Sequence, residues 1–206
     1  MAGDSMVCDK DHLERVDHIA QALPEGRLDA WVLFYRTLLG LETEGVVDLP
    51  DPYGLMRSKT MSNRERTVRF PLNISESRNT TTARSVTNFA GAGVSHIAFS
   101  TSDIFTSAEA VGRRDHSADS VQLLRRRCRA FRAPDEQLDR MRRFNILYDR
   151  LGAGEFFQFH TLPLEQRFFF EVVQRSGSYD LYGASNAPVR LAALAHHHGS
   201  ISQIVP

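Results

Sequence analysis

The chain has 206 residues, and its 25 basic and 25 acidic side chains give a formal net charge of zero. This length permits one domain with a hydrophobic core, while the balanced charge and the lack of an apolar run of membrane-spanning length argue against nucleic-acid and membrane partners. Since the two cysteines, Cys8 and Cys128, provide neither a disulfide framework nor a zinc-binding spacing, we expect a protein of the reducing cytoplasm.

The first half of the chain has the pattern of one strand, one helix and three further strands. We expect residues 1–12 to be a flexible leader, because they are polar and irregular. A strand around His18 follows, and apolar residues at helical spacing predict a helix over Leu28–Leu39 that ends at Gly40. The next predicted elements are three short strands over Leu41–Val47, Leu55–Met61 and Thr67–Leu72.

The second half repeats this order with an interruption. A strand around His96 precedes a predicted helix over Ile104–Val111, and another helix is predicted to begin at Asp135. Three strands are predicted after it, over Phe144–Tyr148, Glu155–Thr161 and Phe168–Gln174. We expect a C-terminal helix over residues 187–196 and a tail over residues 199–206.

His96 lies in the stretch Gly91–Thr101, in which a turn of small residues leads into an apolar strand. Because side chains alternate along a strand, His96 shares its face with Val94 and Ala98. A histidine among such neighbours either binds a ligand or is a core histidine hydrogen-bonded to the backbone, and the pattern alone leaves both interpretations open.

Two further segments carry a similarly placed polar residue. Val16–Ala20 has the same local pattern, with a histidine followed by Ile-Ala, and Phe168–Gln174 carries Glu171 within an apolar strand. A buried carboxylate requires a cation, which is either a metal ion or a neighbouring Arg167 or Arg175. Two imidazoles and one carboxylate, with other coordination positions open, form the facial triad that suits non-haem Fe(II).

Three segments resemble, in the same order, the metal-binding motifs of the catalytic half of 4-hydroxyphenylpyruvate dioxygenases: Val16–Ile19, Gly91–Ala98 and Phe170–Arg175. The resemblance extends over Leu13–Leu194. It is closer still to the dioxygenase-like domain that some bacterial two-domain 3-dehydroshikimate dehydratases carry at the C-terminal end.

This resemblance implies an α+β fold with two βαβββ modules of the vicinal oxygen chelate type. Module one is expected at residues 13–73 and module two at residues 91–175, within a dioxygenase-like domain of residues 13–198. The resemblance also implies that His18, His96 and Glu171 are the metal ligands, with Fe(II) as the ion and Mg²⁺, Mn²⁺ or Zn²⁺ as alternatives.

The resemblance also assigns residues to substrate binding. Ser58, Asn73 and Gln158 match positions that contact substrate in the dioxygenases, and Tyr182 stands where an aromatic residue is usual. These residues are expected to orient the substrate at the metal.

The expected pocket departs from the dioxygenase pattern. Ser95 replaces a glutamine before the second metal histidine, and His160 and Ala187 replace two phenylalanines that enclose the substrate ring. Since a phenol needs polar partners and its ring needs flat apolar walls, we expect a substrate other than hydroxyphenylpyruvate. His160 is expected to meet a hydroxyl or carboxylate of a more polar substrate, with a hydrogen bond to the backbone as the alternative.

Residues 113–132 do not follow the family pattern. The segment shows neither strand alternation nor an apolar stripe, where the family normally has a strand and a Pro-Ser-Asn-Tyr-Tyr loop. Because Ala118–Arg132 can be back-translated to spell that loop one nucleotide out of frame, we expect an out-of-frame segment and an incomplete second module. We interpret Arg125–Arg127 as a solvated basic run rather than a nucleic-acid site.

Three functions fit these expectations. The first is an Fe(II)-dependent dioxygenase that uses O₂ and a 2-oxo acid or another polar oxygenated substrate. The second is a metal-binding partner domain of a 3-dehydroshikimate dehydratase, without an established reaction of its own. The third is a non-redox, metal-dependent vicinal oxygen chelate enzyme. Family analogy also implies a homo-oligomer.

Overall fold

The structure, a computed structural model, describes residues 12–112, 135–164, 167–188 and 190–192. In module one, strand β1 precedes helix α1 and three further strands, and a second helix, α2, follows. The bounds are β1 Arg15–Ala22, α1 Leu28–Leu39, β2 Glu42–Asp51, β3 Gly54–Ser62, β4 Arg69–Ile74 and α2 Thr81–Asn88. The predicted β-α-β-β-β order of this half is confirmed.

Module two has the same order of strands. Its elements are β5 Gly93–Ser100, α3 Ile104–Val111, α4 Asp135–Arg143, β6 Leu147–Leu151, β7 Gly154–His160 and β8 Phe169–Ser176. A short 3-10 helix, Ala184–Asn186, follows, and residues 187, 188 and 190–192 are helical.

The described residues give each module four strands, so the expected α+β fold of two βαβββ modules is confirmed. The expected gap and frame change at residues 113–132 lie outside the described part of the chain. The same holds for residues 1–11 of the expected leader, for residues 193–196 of the expected C-terminal helix and for the tail.

All eight strands form one mixed sheet in the order β2-β3-β4-β1-β5-β8-β7-β6. The two modules join where β1 pairs antiparallel with β5, and within each module the first strand pairs parallel with the last. The strands that carry His18, His96 and Glu171 are therefore β1, β5 and β8, which are adjacent at the centre of the sheet.

Helices α1, α3 and α4 cover one face of this sheet. On β7 and β8, Phe157, Phe159 and Val172 pack in an apolar cluster with residues of α3 and α4. Because side chains alternate along a strand, Glu171 and its neighbours at alternate positions face the other way. Helix α1 forms a corresponding cluster with β3 and β4 in module one. The opposite face carries the polar cluster, and α2 and the C-terminal helical segment lie on that side.

Helix α2 was not predicted, because its threonine-rich sequence has low intrinsic helix propensity. Two side-chain acceptors stabilise its first turn. The hydroxyl of fully buried Thr80 accepts a hydrogen bond from the backbone N–H of Ala83, and the Asp51 carboxylate accepts one from that of Thr81. Among the described residues, no helix combines the length and the apolar character needed to cross a membrane.

Gly154, at the start of β7, permits a close backbone approach that a larger residue would block. An added methyl group would overlap the backbone nitrogen of Tyr179, whose hydroxyl donates to Asp149 and accepts from the backbone N–H of Gly183. We predict that Gly154→Ala lowers the free energy of unfolding by about 1–3 kcal/mol, measured by chemical denaturation. Gly45→Ala is the matched control, since an added methyl group there meets no atom within 4 Å. It should change stability by no more than about 0.5 kcal/mol, and equal stability of the two variants would contradict this packing.

Candidate metal centre

Three buried side chains from the central strands converge on one point. Nε2 of His18 lies 3.2 Å from Nε2 of His96, and Oε2 of Glu171 lies 3.4 Å and 3.1 Å from these two nitrogens. The pairing of the strands explains this, because Ala98 on β5 is opposite both His18 on β1 and Glu171 on β8. His96 lies two residues before Ala98, on the same face of the sheet.

A β-bulge in β1 helps to place His18. Val16 pairs with Phe99 and His18 pairs with Ala98, so that Asp17 is the extra residue between two regular pairs. Asp17 and His18 are consequently both buried, although they are adjacent in sequence. Oδ1 of Asp17 accepts a hydrogen bond from Nδ1 of His18 at 2.8 Å, which leaves the Nε2 lone pair of the neutral ring directed at the cluster.

Arg175 holds Asp17 in place. Its guanidinium donates two hydrogen bonds to the carboxylate, from Nε to Oδ2 at 2.8 Å and from a terminal nitrogen to Oδ1 at 2.9 Å. Burial opposes ionisation of Asp17, but the hydrogen bonds with His18 and Arg175 hold the pKa of its carboxyl well below the usual range. The result is a chain of contacts from Arg175 through Asp17 to His18.

The sequence left two kinds of cation open for Glu171, a metal ion or a neighbouring arginine. Arg175 binds Asp17 instead, and Arg167 is exposed. Within the described part of the chain, neither arginine forms an ion pair with Glu171. The groups that pair with this carboxylate in the described residues are imidazoles, including that of His160, whose Nε2 lies 3.6 Å from Oε1.

The electrostatics of the cluster favour neutral imidazole at His96 and an ionised carboxylate. Burial lowers the pKa of His96 to about 3, against the opposing effect of Glu171. Burial alone would raise the pKa of Glu171, but the imidazoles of His160, His18 and His96 hold it well below its ordinary value. Burial also acts to lower the pKa of His18, but its hydrogen bond with Asp17 and the nearby Glu171 carboxylate raise it.

The cluster has the properties of a site for a divalent cation. When they are deprotonated, as metal binding requires, both imidazoles and the carboxylate direct lone pairs at one another. Oε2 of Glu171 is buried and has no hydrogen-bond partner in the described residues. Ligand atoms about 2.1 Å from a common ion lie roughly 3.0 Å apart at right angles and roughly 3.4 Å apart at the tetrahedral angle. The observed separations of 3.1–3.4 Å agree with these values.

A cavity of about 140 Å³ opens beside the cluster. Three of the predicted substrate-binding residues, Ser58, Asn73 and Tyr182, line it together with the three candidate ligands. Its remaining lining is mainly apolar and comes from Gly45, Val47, Leu49, Met56, Pro71, Leu181, Ala184 and Ala187, with Glu44, Thr60 and Arg190 as further polar residues.

The two other predicted substrate-binding residues occupy different places. Gln158 and His160 are buried, but neither is among the described residues that line this cavity. His160 faces Glu171 and packs edge-on against Phe169, with 5.6 Å between ring centroids. Contact of either residue with substrate stays a prediction.

Sequence reasoning missed the roles of three residues of the site: Asp17, Arg175 and Arg190. The first had a detectable signal, since an acidic residue directly before a candidate ligand histidine can orient its ring. The pairing of Arg175 with Asp17 depends on residues 158 positions apart, and Arg190 reaches the cavity from the C-terminal helical segment. Neither of these two contacts leaves a local sequence pattern.

Comparisons with known proteins agree with this fold. The family model described as "Glyoxalase/Bleomycin resistance protein/Dioxygenase superfamily" matches residues 15–119. The 3-dehydroshikimate dehydratase of Pseudomonas aeruginosa is 44% identical over 198 residues, which cover 93% of this chain and 31% of that protein. The 4-hydroxyphenylpyruvate dioxygenase of Caenorhabditis elegans is 28% identical over 189 residues, which cover 84% of this chain and 48% of that protein.

A solved structure shows the same relationship. A "xylose isomerase-like TIM barrel/4-hydroxyphenylpyruvate dioxygenase fusion protein" matches with a TM-score of 0.73 and 40% identity, over 91% of this chain and 30% of its own. The chain thus spans about a third of the length of the dehydratase and of the fusion protein. The matched family and the two-module sheet together establish that the chain belongs to the glyoxalase/bleomycin resistance protein/dioxygenase superfamily.

Proposed function

We propose that this chain is an Fe(II)-dependent, dioxygenase-like domain in which His18, His96 and Glu171 hold the metal. The observation that supports this most strongly is the convergence of their three acceptor atoms at the centre of the sheet. Two imidazoles and a carboxylate on one side of an ion are typical of non-haem Fe(II) oxygenases. Such an ion would supply open coordination positions for substrate oxygens and the redox chemistry that a reaction with O₂ requires.

The walls of the cavity would determine which substrate reaches this centre. Ser58 on β3 and Asn73 on β4 are directly paired across the two strands, so their polar groups lie side by side in a largely apolar lining. They would hydrogen-bond an oxygen of the substrate, while the apolar residues around them would exclude water. We propose a polar 2-oxo acid as the substrate class, because the small Ala187 lies where the resemblance leads one to expect an aromatic wall.

Tyr182 would form an uncharged part of the cavity wall, with its ring held in one orientation. Its ring packs edge-on against His18, with 5.3 Å between centroids, and its hydroxyl donates to Glu44. Burial, together with Glu44, raises the pKa of Tyr182 to about 12. The hydroxyl therefore stays protonated near neutral pH, and Tyr182 would position the His18 ring and the substrate rather than exchange protons.

A second candidate function is that of a metal-binding partner domain for a dehydratase. It is favoured by the higher identity to the P. aeruginosa dehydratase, 44%, than to the nematode dioxygenase, 28%. Oxygen consumption after anaerobic Fe(II) loading, measured with a panel of polar 2-oxo acids, separates the two functions. Uptake with one of these acids supports the dioxygenase. No uptake, together with stimulation of a separately expressed dehydratase barrel, supports the partner domain, and turnover of a substrate without O₂ supports a non-redox enzyme.

Glu171 provides the anionic ligand, so its removal should abolish metal binding. We predict that Glu171→Ala reduces bound Fe(II) from about one ion per chain to near zero in anaerobic equilibrium dialysis. Glu155→Ala is the matched control, because this glutamate lies on the adjacent strand β7 but is not one of the proposed ligands. Its carboxylate accepts a hydrogen bond from Tyr148. It should retain the metal, and unchanged metal content in Glu171→Ala would remove the basis of the proposal.

Asp17 should affect metal affinity through His18, which it orients. We predict that Asp17→Asn weakens Fe(II) binding by about 10–100-fold, because an amide holds the imidazole and its Nδ1 proton less firmly. The measurement is anaerobic competition with a chelating dye. Asp48→Asn is the control, since Asp48 also pairs with an arginine but in an exposed position. Equal affinities of wild type and Asp17→Asn would show that Asp17 does not orient the ligand.

A further inference from the structure

We propose that Arg190 selects for a substrate with a carboxylate at the end remote from the metal, which makes the preferred substrate class a small dianionic 2-oxo acid. This inference deepens the proposed function and rests on it. It assigns a substrate-binding role to a residue for which sequence analysis predicted none.

Arg190 reaches the cavity at the metal cluster. It lines this cavity together with His96, Glu171 and Asn73, and it also borders a smaller adjoining pocket lined by Asn73 and His96. Its Nε is buried and has no hydrogen-bond partner among the described residues. A buried donor without a partner is costly, so an acceptor on a bound ligand would stabilise this position.

The other arginines around the cavity are already paired. Arg175 binds Asp17, Arg66 binds Glu44 and Asp180, and Arg69 also binds Asp180. Within the described ranges, Arg190 forms no ion pair. Burial lowers the pKa of its guanidinium from the ordinary value, against the opposing effect of Glu171.

The charge balance of the occupied site favours a dianion. Glu171 is the acidic group that acts on Arg190, but in the proposed function its charge is committed to the metal. A divalent ion, the Glu171 carboxylate and the Arg190 guanidinium would together leave two positive charges. Glu44 also lines the cavity, but Arg66 neutralises it.

The chemistry of the guanidinium specifies the second anionic group. A planar guanidinium donates two parallel hydrogen bonds to a carboxylate, and these are stronger when both partners are charged and shielded from water. A 2-oxo acid would use its own carboxylate and keto oxygens at the metal. A second carboxylate on the same molecule would therefore be available to Arg190.

The test is anaerobic isothermal titration calorimetry of the Fe(II)-loaded protein with two acids of equal chain length, 2-oxoglutarate and 2-oxopentanoate. They differ by a terminal carboxylate in place of a methyl group. We expect the wild type to bind the diacid at least about tenfold more tightly, equivalent to about 1.4 kcal/mol. Arg190→Gln should abolish this preference, bringing the two affinities within about twofold. Arg190→Lys should retain part of the preference.

Arg57→Gln is the matched control, because Arg57 is an exposed arginine paired with Asp48. It should keep the full preference for the diacid. Metal content and thermal stability are measured for every variant before titration. Equal binding of both acids by metal-loaded wild type, or an unchanged preference in Arg190→Gln, overturns the role of Arg190 alone. Failure of the wild type to bind Fe(II) overturns the proposed function together with this inference.

Discussion

The structure depends on how it accommodates one buried carboxylate. Glu171 is only 2% exposed, at the centre of the sheet, where an uncompensated charge costs several kcal/mol. In the described residues it pairs with imidazoles and with no arginine, and Arg175 is bound to Asp17. The pairing of two equivalent modules brings β1, β5 and β8 together, and these strands supply the carboxylate with the two histidines that would complete a cation site.

Much of the fold could be predicted because local patterns and the final structure agree. The helices Leu28–Leu39 and Ile104–Val111 have the predicted bounds, since each buries apolar residues at helical spacing in the core and each is followed by a glycine. Strand bounds moved by a few residues, as for β2, which continues to Asp51, because hairpin pairing extends a strand beyond its apolar segment. Helix α2 could not be predicted, because Asp51 and Thr80 stabilise it through contacts that its own composition does not indicate.

The candidate site was predictable to a similar extent. The grouping of His18, His96 and Glu171 could be expected from three polar residues in otherwise apolar strands and from the family resemblance. The contacts that orient and complete the site could not, because they depend on a bulge at Asp17 and on the position of Arg190 relative to the cavity. The three proposed metal ligands lie in strands with a recognisable sequence pattern, whereas Arg190, proposed to select the substrate, belongs to a segment whose placement depends on tertiary packing.

The most direct measurement is anomalous diffraction at the iron edge from crystals loaded anaerobically with Fe(II). We predict one strong peak that lies about 2.0–2.3 Å from Nε2 of His18, Nε2 of His96 and a carboxylate oxygen of Glu171. A peak at another place, or density in which the two imidazoles and the carboxylate point away from one another with no ion between them, would contradict the metal centre proposed for this chain.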